Sequence, residues 1–107
     1  DADGELRAAC LRVVRRGQLE FVTGAWVTTD EANPRYAEML EQLLEGHRYL
    51  ERTVGVRPRY GWSIDPFGHS ASMAYVLQRA GFDAIVISRV HYELKRYLAR
   101  RRALEFY

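Results

Sequence analysis

The sequence has a single cysteine, Cys10, and only three prolines in 107 residues. One thiol cannot form an internal disulfide, so it does not indicate a redox compartment, and we expect Cys10 to be buried and inert. No run approaches the ~20 apolar residues that a membrane-spanning helix needs, and no targeting signal is recognisable. These absences, with 48% hydrophobic and 28% charged residues, predict a globular segment without membrane contact.

Charge of one sign is also scarce, since the formal net charge is only +2. The basic residues that do cluster are Lys95, Arg96, Arg100, Arg101 and Arg102. We interpret this cluster as the solvated face of a helix rather than a phosphate-binding or acidic-partner patch, and we expect no nucleic-acid partner. The chain opens without Met and closes on apolar residues, which we interpret as a segment of a longer protein.

Hydrophobic periodicity alternates between helices and short apolar runs. Helices are predicted over 5–16, from Asn33 as N-cap to Gly55, over 71–80, and along the charged stretch to residue 102. Strands are predicted over 18–27, 60–64 and 84–87, with another beginning at 104. This alternation predicts an α/β fold with parallel strands. Three or four strands leave sheet edges without partners, so we expect an arc of a β/α barrel.

An acidic residue leaves the second predicted strand and enters a tight turn. Pro66 biases Asp65 towards an extended backbone, Gly68 is expected to permit a sharp reversal, and Ser70 is expected to cap the next helix. Asp65 is therefore predicted to lie at the carboxyl end of a parallel strand, where α/β folds carry ligands and catalytic groups.

The chemistry of this turn remains open on the residues alone. Asp65 can act as a nucleophile, a general base or a metal ligand. Its spacing from His69 resembles a metal-ligand pair, although a proline-containing turn does not fix the geometry. Phe67 is either plain core or an aromatic face for the apolar side of a sugar ring. Arg89 directly follows the third strand and needs an acidic partner, for which Asp65 is the candidate; a structural salt bridge and a site residue are both open.

Three other residues are expected to be structural. His47 lies on the apolar stripe of its helix and is predicted to be a hydrogen-bonded structural histidine rather than a ligand. Trp26 and Trp62 lie in or at the end of predicted strands, and we expect them to pack in the core.

Several motifs resemble, in the same order, those of the retaining α-mannosidases of glycoside hydrolase family 38. The resembling stretches are 17–22, 26–27, 30–32, 45–47, 61–62, 65–70, 89–92 and 104–106, and among them Asp65-Pro66-Phe67-Gly68-His69-Ser70 resembles the nucleophile motif. The stretches 89–92 and 104–106 are more similar to the Golgi α-mannosidase II branch than to the lysosomal branch.

The resemblance implies a seven-stranded β/α barrel whose active site holds one zinc ion. It implies that Asp65 is both nucleophile and zinc ligand, that Phe67 packs against the bound mannose, and that Arg89 lies in the same pocket. His69 is not among the family's zinc ligands. The family's upstream His-x-His-x-Asp segment, its acid/base aspartate and its last ligand histidine have no counterpart here.

Residues 1–107 are therefore interpreted as a fragment of the N-terminal β/α-barrel catalytic domain, inactive by itself and partnered by the remainder of the parent chain. The implied substrate is a mannose-containing N-glycan, and the implied location is the Golgi lumen, with a membrane-anchored parent. Two alternatives remain: a metal-dependent polysaccharide deacetylase-like hydrolase, whose further ligands would come from His47, His69 and His91, and a non-catalytic or degenerate domain.

Overall fold

The computed structural model of the chain describes residues 2–105, with only the backbone described at residue 2. Its elements, in chain order, are α1 (Ala2–Arg15), α2 (Tyr36–Thr53), β1 (Tyr60–Ser63), α3 (Ala71–Arg79), β2 (Ala84–Ile87) and α4 (Tyr92–Arg100). The predicted strands near 60–64 and 84–87 and the helices around them are confirmed. Of the strand predicted from 104, residues 104 and 105 form a bend, and the last two positions lie outside the described residues.

The two strands form a parallel pair joined by α3. Their register places Tyr60 opposite Ala84 and Ser63 opposite Ile87. A parallel pair requires a crossover connection, and α3 supplies it because Ser70 caps its start and Gly81 follows its end with a positive φ of 88°. The predicted strand–helix–strand order and the parallel direction are therefore confirmed.

The strand predicted over 18–27 does not form. Thr23 and Gly24 both have positive φ, 56° and 67°, which is incompatible with an extended strand. Thr23 instead lies beside β1: its backbone N–H donates to the Tyr60 carbonyl (2.7 Å), and its Oγ1 accepts from the Trp62 N–H (2.7 Å). One residue thus occupies part of the β1 edge while the backbone turns away, and the apolar pattern alone does not indicate this turn.

The second helix begins later than predicted, at Tyr36 with Arg35 as N-cap. The Arg35 N–H donates to Glu38 Oε2 (2.9 Å), which satisfies one backbone donor at the start of the helix. Asn33 does not cap the helix, because its side-chain amide donates to Asp30 Oδ2. Asp30 also accepts from the Ala32 N–H (3.0 Å), so its carboxylate organises a turn immediately before the helix.

The core lies between α2 and α3. Its buried side chains are Met39, Leu43, Met73, Val76 and Leu77. Gly46 of α2 permits a close backbone approach by residues 24–26, because a Cβ at this position would lie 2.6 Å from the backbone nitrogen of Trp26. The Trp26 N–H donates to the Gln42 carbonyl of α2 (3.0 Å), which holds this segment against the helix.

Three side chains predicted to be buried are exposed. Cys10 lies on the exposed side of α1, and Trp26 and Trp62 are 59% and 49% exposed. Along β1, Gly61 and Ser63 are buried while Tyr60 and Trp62 point to the opposite, uncovered face of the sheet. An alternating strand with one uncovered face exposes every second side chain, so a large aromatic residue in a strand need not be in the core. Within residues 2–105, no helix combines the length and apolarity needed to cross a membrane.

Candidate active site

The loop between β1 and α3 carries the predicted site. Pro66 is buried, whereas its neighbours Asp65 and Phe67 are exposed, so the turn is anchored by the proline and presents the two flanking side chains. Ser70 ends the loop as the predicted N-cap, and its Oγ accepts from the Met73 N–H (3.1 Å). The φ of Gly68 is not in the left-handed region, and an added Cβ there would meet no atom within 4 Å.

Asp65 and Arg89 meet at the carboxyl ends of the two strands. Arg89 Nη2 donates to Asp65 Oδ1 at 2.5 Å, as the need for an acidic partner predicted. The Asp65 side chain is 80% exposed and the Arg89 side chain is 57% exposed. An ion pair this exposed contributes at most about 1 kcal/mol to stability. Within the described part of the chain, the hydrogen bond of the Asp65 carboxylate goes to Oδ1, and none involves Oδ2.

Phe67 is 76% exposed, so its interpretation as plain core is wrong. Its ring leaves the same turn as Asp65, two positions away. An exposed aromatic face beside a carboxylate is a surface on which the apolar side of a sugar ring can pack.

The three histidines occupy three separate structural environments. His47 is confirmed as a hydrogen-bonded histidine, with its Nε2 2.9 Å from the Thr23 carbonyl. His91 lies at the start of α4, where its Nδ1 accepts from the Glu93 N–H (3.4 Å). His69 points towards Glu31, with 3.5 Å between Nδ1 and Glu31 Oε1.

Glu31 is the residue near this loop that the sequence reasoning missed as a functional candidate. Its side chain is only 3% exposed, and its Oε2 accepts from the Ser70 N–H at 2.5 Å. The signal that could have identified it is its place in the polar cluster Thr28-Thr29-Asp30-Glu31, which directly follows an apolar run. Glu31 shares this position with Asp65, which also follows an apolar run.

The donor set in the described residues does not by itself complete a zinc site. Zinc in proteins takes three or four protein ligands, and no group of three or more His, Cys, Asp or Glu side chains suited to a metal occurs within 2–105. Asp65 fits as one ligand, because its carboxylate is 80% exposed and a carboxylate has more acceptor sites than the single hydrogen bond from Arg89 uses. Among the described residues, the candidate site therefore consists of Asp65, Arg89 and Phe67.

Comparison with known sequences gives a consistent relationship over nearly the whole chain. Residues 2–107 match the profile of the N-terminal domain of the family 38 glycosyl hydrolases. The chain is 52% identical to mouse alpha-mannosidase 2 over 101 residues, covering 94% of this chain, and 48% identical to Arabidopsis thaliana alpha-mannosidase 2 over 106 residues, covering 99%. Guinea pig lysosomal alpha-mannosidase is 42% identical over 103 residues, covering 94%.

The aligned region is a small part of these relatives. The chain spans 9% of the length of the mouse and Arabidopsis proteins and 10% of the guinea pig protein. A profile match over 106 of 107 positions and identities of about half are nevertheless far beyond what a shared fold alone would produce. The chain belongs to glycosyl hydrolase family 38.

Proposed function

We propose that this chain carries the nucleophile of a retaining, zinc-dependent α-mannosidase that trims α-linked mannose from N-glycans. The observation that carries the proposal is the placement of Asp65: an exposed carboxylate at the carboxyl end of a parallel strand, oriented by Arg89 at 2.5 Å. The similarity to proteins named alpha-mannosidase 2 supports the substrate class. We also propose the Golgi lumen as the location, because the stretches 89–92 and 104–106 resemble the Golgi α-mannosidase II branch more than the lysosomal branch.

The proposed reaction starts with attack by Asp65 Oδ2 on the anomeric carbon of a bound mannoside. The C–O bond to the leaving group breaks as the ester bond to Asp65 forms, and the leaving oxygen takes a proton from a second carboxylic acid about 5 Å away. Water then hydrolyses the ester with net retention, activated by that same second carboxylate. Arg89 holds Oδ1 throughout, which keeps Oδ2 directed outwards, and Phe67 packs against the sugar.

The second carboxylate and the remaining zinc ligands are proposed to come from the remainder of the parent chain. Zinc, when bound, would orient the sugar hydroxyls and stabilise negative charge at the site. Asp65 is the residue of this chain proposed to hold it.

We propose that residues 1–107 form part of the N-terminal catalytic domain, as an arc of a seven-stranded β/α barrel. Two features support it: β1 and β2 are parallel and joined by a helix, and the uncovered face of the pair exposes Trp62 and Val86, which are 49% and 47% exposed. A closed barrel would bury such a face and remove the free edges.

The deacetylase-like alternative has no support from the geometry. It requires histidine ligands close to Asp65, yet within the described chain His47 bonds to a backbone carbonyl and His91 bonds at a helix start. His69 points towards Glu31. We therefore propose a glycosidase rather than a deacetylase-like hydrolase.

Covalent labelling of the full-length gene product tests the nucleophile. A fluorosugar that forms a slowly hydrolysed mannosyl ester should add its mass to the tryptic peptide 60–79, in which Asp65 is the only carboxylate side chain. Asp65→Asn should abolish the label and lower kcat by several orders of magnitude. Label on another peptide, with turnover blocked, would reject Asp65 as nucleophile.

The zinc content of the same preparations tests the metal proposal separately. Wild type should hold one zinc per chain, and Asp65→Asn should weaken zinc affinity because a charged ligand is lost. Asp83→Asn is the matched control, since Asp83 pairs with Arg59 (2.6 Å) before the two strands begin and should affect neither label nor metal. Equal zinc affinity in wild type and Asp65→Asn would remove Asp65 from the ligand set.

A further inference from the structure

We infer that Glu31 is a positioning residue for the nucleophile loop, acting by accepting a hydrogen bond from the Ser70 backbone N–H. The inference rests on the function proposed for Asp65. Glu31 precedes Ser70 by 39 positions in the sequence. It lies on the loop between α1 and α2, which belongs to neither strand. Its consequence is that the geometry of Asp65 depends on the loop over residues 28–33.

The loop that carries Asp65 spans residues 64–70, between Ser63 of β1 and Ala71 of α3. At its first end the ladder with β2 holds the backbone up to Ser63. At its second end the Glu31 carboxylate receives the Ser70 N–H at 2.5 Å. Because Asp65 lies between these two anchors, a shift of Ser70 changes the path of the loop and the direction of the carboxylate.

The surroundings of Glu31 make this bond strong. The Glu31 side chain is 3% exposed, so water does not compete effectively for its acceptor oxygen, and a hydrogen bond shielded from water is stronger than an exposed one. The His69 ring lies against the same carboxylate, and its two nitrogens are buried without a hydrogen bond to any described residue. The Ser70 N–H is thus the described hydrogen bond that ties this carboxylate to the Asp65 loop.

The loop that carries Glu31 is itself braced. Asp30 accepts from the Ala32 N–H (3.0 Å) and from the Asn33 side chain, which rigidifies residues 30–33. Gln42 of α2 donates from Nε2 to Thr29 Oγ1 at 2.8 Å. A rigid connection therefore runs from α2 through Thr29 and Glu31 to Ser70, and it can hold the Asp65 loop within the tolerance that catalysis requires.

Two conservative substitutions of Glu31 in the full-length gene product separate the effect of side-chain length from the effect of charge. Glu31→Gln keeps the length of the side chain and an oxygen that can accept from Ser70, but loses the charge. Glu31→Asp keeps the charge but withdraws the acceptor by about one C–C bond, roughly 1.5 Å. Glu38→Asp is the matched control, since Glu38 accepts from the Arg35 N–H at the start of α2 and no described hydrogen bond joins it to the 64–70 loop.

The measured quantities are the rate constant for fluorosugar labelling of peptide 60–79, kcat, KM for an aryl α-mannoside, and Tm. We expect Glu31→Asp to slow labelling and lower kcat by about tenfold or more, with KM changed by less than about threefold, because the nucleophile is misplaced. We expect Glu31→Gln to stay within about threefold of wild type. Glu38→Asp should label at the wild-type rate.

Labelling rates that are equal in the Gln and Asp variants, or slower in Glu31→Gln, would overturn the positioning role, since charge or packing would then explain Glu31. A fall in Tm for Glu31→Asp with an unchanged labelling rate would assign Glu31 to stability alone. Failure of the proposed function looks different: wild type itself would carry no label on peptide 60–79, and both proposals would be withdrawn.

Discussion

Asp65 and Arg89 each lie two residues beyond a register pair, Ser63 and Ile87, and their side chains meet at 2.5 Å. The same two strands have a second pair before their first residues, where Arg59 Nη2 lies 2.6 Å from Asp83 Oδ2. Both pairs join neighbouring parallel strands through an exposed aspartate and arginine. They differ in the end of the sheet that they occupy, and only the carboxyl end is where β/α proteins place their active sites.

Because both pairs join an arginine to an aspartate, the Arg59–Asp83 pair provides a matched control for Arg89. Arg89→Ala should lower kcat/KM of the full-length gene product by about tenfold or more, because Asp65 loses its orienting partner. The free energy of unfolding should change by less than about 1 kcal/mol, since the pair is exposed. Arg59→Ala removes the equivalent pair at the other end and should leave kcat/KM within about twofold of wild type. A large loss of stability in Arg89→Ala, with full activity per folded molecule, would make Arg89 structural.

Phe67 and Phe82 provide a second matched pair. Phe67 is 76% exposed, whereas Phe82 packs against the buried cluster of α2 and α3. Phe67→Ala should raise KM for an aryl α-mannoside severalfold and change the free energy of unfolding little. Phe82→Ala should destabilise the protein by about 2 kcal/mol or more, with KM unchanged in the folded fraction. Unchanged KM in Phe67→Ala would exclude a contact between this ring and the substrate.

The 107-residue chain by itself should not hydrolyse an aryl α-mannoside. It is expected to lack the acid/base carboxylate and further zinc ligands, and it exposes large apolar side chains such as Trp62 and Val86. For the same reason it should aggregate or unfold with low cooperativity. Turnover by the purified chain that is lost in Asp65→Ala would contradict the first expectation. A reversible two-state melt of a monomer would contradict the second.

Two glycines should respond in opposite directions to substitution by alanine. Gly46→Ala places a Cβ 2.6 Å from backbone atoms of residues 25 and 26, and rigid backbone has to move, so we expect destabilisation of about 3 kcal/mol. Gly4 lies in α1, with no atom within 4 Å of an added Cβ. Gly4→Ala should stabilise α1 by up to about 1 kcal/mol through higher helix propensity. Thermal unfolding of the two variants measures both; equal Tm values would show that α2 and residues 24–26 do not pack as described.

Local pattern was sufficient for the elements around the candidate site. Short apolar runs predicted β1 and β2, and Ser70 was predicted as the cap of α3, because strand alternation and capping depend on neighbouring residues. Even the long-range contact between Asp65 and Arg89 could be predicted, since parallel strands bring their carboxyl ends to one edge and a guanidinium there needs an acid. Sequence motifs also carried the family resemblance.

Tertiary structure decided the features that depend on what surrounds a residue. Residues 18–27 have the apolar content of a strand, but Thr23 and Gly24 take positive φ and bond to β1 instead. Trp62 is a large apolar side chain of the kind usually found in a core, and it is exposed because its face of the sheet is uncovered. Glu31 reaches Ser70 across 39 positions, a contact that no local periodicity encodes. Sequence by itself determined the strands and the helix on either side of the candidate site and the chemistry available to Asp65, because those depend on neighbouring residues. Packing determined the partners, burial and anchoring of that loop, because those depend on residues distant in the chain.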